Sequence, residues 1–296
     1  MALAPRIGAF LASTNQRITE HAHRHRVGYV LVAGSVFCAG LIASSIALNL
    51  DWRSLEVHWL LLNLLLGAPI AIGLNTLGLK LSATVVGASL SLSAAFRTCC
   101  IALCSNLLPI PAGSIVQASS LASRGGSMLQ SGFIVVLGNG ISLALIATLV
   151  GAVITGGKPV IGLSILGLGV TGLVGCAFLL SRKTSTRILL GFLSIRLLRT
   201  LTIVLRIQLS FLIIGVAVSI LDAAVFSGAV ILGTVVAVFP AGLGASETIA
   251  ALLALATTIA PGAAFVATAL NRLATLAFAG IFLLFTKPIF PENKTS

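Results

Sequence analysis

Apolar positions run along this chain in long blocks separated by short polar or basic connections, without the alternation of barrel strands. A hydrocarbon core of about 30 Å takes about 20 apolar helical residues. On that measure the blocks predict spans over 28–50, 59–79, 128–155, 159–180, about 200–219 and 262–285. Two further tracts, 91–126 and 222–258, are apolar but interrupted near their middles. The interruptions read NLLPIPAGSIVQASS (106–120) and VAVFPAGLGASETIA (236–250).

Proline removes an N–H and clashes with the preceding turn, so Pro111 and Pro240 are expected to end their helices. Ser114 with Gln117 has the spacing of a capping box for the returning helix, and Ser246 is read as an N-cap that places Glu247 in a first turn. Gly113, Gly242 and Gly244 permit backbone turns that other residues resist. Irregular backbone at membrane depth is tolerated only where it packs in protein or lines a wet cavity.

Composition turns the pattern into a class. The 296 residues are 58% hydrophobic and 8% charged, with a mean hydropathy of +1.15. A soluble exterior needs many more charges. The expected fold is an all-α polytopic membrane protein of about six transmembrane helices plus two re-entrant hairpins. Residues 1–27 read as a cytoplasmic basic tail, 28–286 as one transmembrane domain and 287–296 as a short cytoplasmic tail.

The net charge of +12 does not point to nucleic acid, because the basic residues cluster in short connections. That is the positive-inside signature, with anionic lipid headgroups as partners. If each interrupted tract returns to the side it left, most of the 18 Lys and Arg residues lie inside. The inside set is then Arg6, Arg17, Arg24, Arg26, Lys80, Arg124, Arg182, Lys183, Arg187, Arg196, Arg199, Lys287 and Lys294. Arg53 and Lys158 lie outside, and Arg97, Arg206 and Arg272 fall at membrane depth, where Arg97 and Arg206 could snorkel to an interface. The segment 182–199 is expected to lie as an amphipathic helix on the inner leaflet.

The Pro-Ala-Gly triplet recurs at 111–113 and 240–242, and each half (28–155 and 159–286) holds three spans and one hairpin. An odd number of crossings inverts the second copy. Interruptions at corresponding positions of inverted halves are a sequence pointer to a transporter-type site. Two helix N-termini meeting in one cavity would suit a phosphate. Glu247 and Arg272 sit inside apolar segments, where an ionisable residue costs about 2.5–3.5 kcal/mol on insertion scales. Arg272, beside Asn271, could neutralise Glu247 or hold a lipid phosphate.

The cysteines 38, 99, 100, 104 and 176 form no Cys-x-x-Cys pair and read as packing thiols, and the HAHRHR run (21–26) reads as a basic juxtamembrane tail, so no metal site is expected. Gly167, Thr171 and Gly175 are spaced for close helix packing. No phosphate loop, dinucleotide fingerprint or nucleophile triad is present, so neither a cofactor nor an enzyme activity is expected.

The pattern N-x-L-P-x-x-x-G, then P-x-G-L-G-x-x-E and a last span bearing Asn-Arg, resembles the transmembrane region of lysylphosphatidylglycerol synthases, a flippase-like family of integral membrane proteins. The likeness runs over about 59–285 and is carried by Asn106, Gly113, Pro240, Gly242, Leu243, Gly244, Glu247, Asn271 and Arg272. Ser114 stands where that family usually has an acidic residue, and Leu79-Lys80 where it often has Arg-Trp. No aminoacyl-transfer domain follows the last span, so lipid aminoacylation is not expected.

The resemblance implies a protein of the bacterial cytoplasmic membrane, both termini inside, that binds or translocates an anionic lipid or a polyprenyl-phosphate-linked amphiphile. The expected ligand-binding residues are Arg272, Glu247, Asn271, Gly242, Gly244, Ser246, Arg97, Asn106, Gly113, Ser114 and Gln117. The alternatives are a secondary transporter of a small anion, or a non-transporting subunit supporting a separate glycosyltransferase or lipid-modifying enzyme.

Overall fold

The computed structural model describes residues 38–39, 41–46, 55–106, 112–235, 244–255 and 257–286. These are helical throughout, with no strand among them. The helices are α1 (Val57–Val85), α2 (Leu92–Ser105), α3 (Ala112–Ala122), α4 (Met128–Thr155), α5 (Pro159–Ser181), α6 (Thr186–Ile213), α7 (Ile220–Val235), α8 (Ala245–Ala254) and α9 (Pro261–Leu284). Among the described residues, α1, α4, α5, α6 and α9 are long and apolar enough to cross a membrane. The chain is an integral membrane protein. Of the expected first span, 28–50, residues 38–39 and 41–46 are described and are helical, and the others lie outside the described residues.

Sequence periodicity placed α4, α5 and α9 to within a residue of their observed ends. The fifth expected span is corrected: it starts at Thr186, not near 200, so 186–199 is no separate surface helix. Phe192 and Arg196 are buried inside the bundle. At 1.5 Å per residue the 28-residue α6 is about 42 Å long, longer than a hydrocarbon core, and only its first turns reach the basic connection at 182–187. Arg196 and Arg199 therefore leave the set of loop charges.

Each interrupted tract forms two short helices, α2 with α3 and α7 with α8. A long helix precedes each pair and another follows it, so the order of elements repeats along the chain. Ser91 and Ser127 cap α2 and α4, their hydroxyls accepting from Ala94 N (3.3 Å) and Gln130 N (3.2 Å). Inside the spans, hydroxyls such as Thr76, Ser82 and Thr148 donate to the carbonyl four residues back, which satisfies these donors within their own helices.

The close crossing of α4 and α5 depends on Gly151, Gly162 and Gly169, where a Cβ would meet the backbone of the opposite helix. Gly167, Thr171 and Gly175, expected to serve close helix packing, are exposed on the other side of α5. That side also presents Val160, Leu163, Leu168 and Val174, as a lipid-facing helix would. The 3.6-residue period fits either stripe, and only the partner helix selects one. At the other extreme, α9 packs against α2, α6 and α8 through small buried residues, among them Ala264, Ala267, Ala274 and Ala279.

Candidate functional site: a cationic cavity within the helical bundle

The second interruption organises one wall. Gly244 takes φ +88°, a left-handed conformation suited to glycine, and stands as N-cap of α8. Glu247, three residues on, is fully buried and accepts the Gly244 N–H at 2.9 Å. This is the acidic half of a capping box. Ser246 is therefore not the cap; it lies inside the first turn. Gly233 on α7 lets Ser246 approach so closely that a Cβ there would overlap it.

Glu247 is also the partner of Arg272. The arginine Nη1 lies 3.2 Å from Oε1 and 3.3 Å from Oε2, with the carboxylate buried and the guanidinium partly open. Arg272 occupies the middle of α9, roughly 16 Å from one end and 18 Å from the other at 1.5 Å per residue.

The first interruption supplies Asn106 at the end of α2. Its Oδ1 accepts the N–H of Gly113 at 3.0 Å, joining the two arms of the hairpin. Gly113 admits this contact because a side chain there would meet Asn106 and the carbonyl of Ala102. The expected Ser114–Gln117 cap is not formed, since Ser114 is the third residue of α3 and its hydroxyl accepts from Asn139 Nδ2 at 3.3 Å.

Asn106, Ser246 and Glu247 line one cavity of about 140 Å³ together with Asn75, Arg199, Arg206, Thr268, Asn271, Arg272 and Thr275. The two hairpins thus meet at a shared hollow. Of the expected site residues, Arg272, Glu247, Asn271, Ser246 and Asn106 line it. Gly244 and Gly113 shape its walls through backbone geometry. Ser114 and Gln117 are half-buried on α3, away from the lining, and Arg97 is half-buried on α2. Gly242 lies outside the described residues, as do Pro111 and Pro240. The helix N-terminal N–H groups described near the cavity are already engaged within the protein. At the N-terminus of α8 Glu247 accepts the Gly244 N–H, and in the first turn of α3 the Gly113 N–H is taken by Asn106.

The charge comes from elsewhere. Arg206 is 4% exposed and has neutral partners: Nε donates to Asn63 Oδ1 (2.8 Å), and Nη2 donates to the Asn271 carbonyl (2.9 Å) and Thr275 Oγ1 (2.6 Å). The snorkelling expected of Arg206 does not occur. Asn63 reaches it from a π-helical turn, Asn63–Gly67, that interrupts α1, and it also donates to Ser210 Oγ at 3.0 Å. Arg199, two turns before Arg206 on the same face of α6, lines the cavity as well. Thr268 Oγ1 and Asn271 Oδ1 are buried without a hydrogen-bond partner, and both residues line the cavity.

Sequence reasoning missed Asn63, Asn75, Arg199, Thr268 and Thr275. A signal for the arginines was present: Arg196, Arg199, Ile203, Arg206 and Ser210 recur at spacings of three and four, which puts them on one helix face. Taking 182–199 as a surface segment cut that series in two. The chain matches no protein-family model and no curated protein.

Proposed function

We propose that this chain is a flippase-like membrane protein that binds or translocates an anionic lipid or a polyprenyl-phosphate-linked amphiphile. One observation carries the reading: halfway along the spanning helices, a cavity is lined, among the described residues, by three arginines and a single carboxylate. Burying that much like charge is unfavourable unless an anion joins it. Ionisable groups at such depth mark substrate paths.

In this reading the short helix pairs are two re-entrant hairpins of an inverted repeat with six spans and cytoplasmic termini. The resemblance to the transmembrane region of lysylphosphatidylglycerol synthases supports it. The headgroup enters between the hairpins, Arg272 exchanges Glu247 for the ligand phosphate, and rocking of the halves passes the headgroup across while the tails stay in lipid. Glu247 holds Arg272 between turnovers.

The test is movement of a fluorescent anionic lipid in proteoliposomes. Arg272→Ala and Glu247→Gln are expected to lower the rate about tenfold or more, the kinetic equivalent of one charge-assisted hydrogen bond. Unchanged rates in both variants would remove the pair from the mechanism. A secondary transporter of a small anion is the second reading, favoured by a cavity of about 140 Å³ that suits a phosphate-sized group better than an acyl chain. Counterflow of inorganic phosphate without lipid movement would select it.

A further inference from the structure

We infer that the cavity selects a headgroup with two negative charges, a phosphate monoester or a diphosphate, over a singly charged phosphodiester. The inference rests on the anionic-amphiphile reading and specifies its substrate class.

The described lining of the cavity carries unequal numbers of positive and negative groups. Between positions 57 and 286 the chain contains two carboxylates, Asp222 and Glu247. Asp222 is engaged at the start of α7, where its Oδ2 accepts from Ser219 Oγ at 2.6 Å. Among the described residues, Glu247 is the one acid that lines the cavity, together with Arg199, Arg206 and Arg272. Among the described lining residues, three positive charges against one leave an excess of two.

Nothing behind the cavity wall lowers that excess. Arg196, one turn from Arg199, is 5% exposed and also lacks an acidic partner among the described residues. Its guanidinium lies over the Phe192 ring at 5.0 Å and donates to Ser142 Oγ at 3.5 Å, while its Nε has no hydrogen-bond partner. A single negative charge would leave the site unbalanced in a low-dielectric setting, and a second would complete it.

The neutral groups suit the same ligand. The Thr268 hydroxyl is 1% exposed with no partner, although a helical threonine ordinarily bonds the carbonyl one turn back. It is a donor held ready for an oxyanion. Asn75, Asn106 and Asn271 bring further amides to the cavity, and a terminal phosphoryl group has three oxygens to receive them.

The experiment measures binding of matched-chain phosphatidic acid, phosphatidylglycerol and free inorganic pyrophosphate to the purified full chain in nanodiscs. At about pH 8.5 a phosphomonoester carries most of its second charge. Phosphatidic acid is expected to bind about tenfold tighter than phosphatidylglycerol, a margin set by one extra buried charge. Arg199→Gln should bring phosphatidic acid down to the phosphatidylglycerol level, and Arg199→Lys should keep the preference, which separates lost charge from lost folding. Equal binding of the two lipids by the wild type would overturn the two-charge inference and leave the lipid reading standing. Pyrophosphate binding with neither lipid bound would support the two-charge site and remove the lipid reading. No binding of any probe would overturn both.

Discussion

Arg206 on α6 and Asn63 on α1 are 143 positions apart in sequence, yet the Nε of one donates to the Oδ1 of the other at 2.8 Å. Asn63 opens the π-helical turn of α1, and its own amide donates to Ser210. Gly67, at the end of the same turn, leaves room for the arginine side chain. An added residue in a helix shifts the facing of everything on one side of it. The turn therefore aims Asn63 at α6 and fixes the deepest cation of the cavity.

Asn63→Ala should deprive Arg206 Nε and Ser210 of a buried partner. The expected loss is about 1–3 kcal/mol of stability, the cost of an unsatisfied buried group. Thermal unfolding in detergent would measure it, and Asn63→Asp should recover part by supplying a charged acceptor. An unchanged unfolding temperature for Asn63→Ala would deny the residue this role.

Removing one member of the Glu247–Arg272 pair should cost more than removing both. Arg272→Ala leaves a fully buried carboxylate, for which about 3–5 kcal/mol is typical. Adding Glu247→Gln to Arg272→Ala is expected to restore part of that loss. A double-mutant cycle showing additive losses would mean that the two charges do not act as a unit.

Gly113→Ala and Gly233→Ala test the two hairpins. The first Cβ would collide with Asn106 and the Ala102 carbonyl, the second with Ser246. Each is expected to lose about 1–3 kcal/mol, as overpacked sites do, and to weaken ligand binding with it. Gly167→Ala, on the open face of α5, should be neutral. Full stability and full binding in both hairpin variants would show that the close approaches carry no weight.

Lys158 and Lys183 lie in exposed connections at opposite ends of α5. In a background lacking the five natural cysteines, Lys183→Cys should react with a membrane-impermeant reagent only after the cytoplasmic face is opened. Lys158→Cys should react in intact cells. The reverse result would turn the proposed orientation over.

Much of this was legible in the order of residues. Apolar runs of helix length in a chain with 8% charge define the membrane class, because bare backbone and bare charge are both costly in lipid. The ends of α4 and α9 follow from Ser127 as a cap and Pro261 at a first turn. Glu247 and Arg272 could be singled out because neither suits an acyl-chain environment. Their 3.2 Å contact was only one of the arrangements open to them.

What tertiary packing alone decided is which way each helix faces. Periodicity puts Arg196, Arg199 and Arg206 on one side of α6, but it cannot say whether that side meets lipid, headgroups or protein. The answer came from α1 and α4, which present Gly78 and Gly138 beside Arg196, and from Asn63, which holds Arg206. In the same way Asn106, not Ser114, closes the first hairpin, since a bond from Gly113 across a turn depends on chain direction there. Local sequence sets helices through interactions between near neighbours. A cavity is a property of surfaces contributed by helices far apart in the chain, so only their assembly determines its charge.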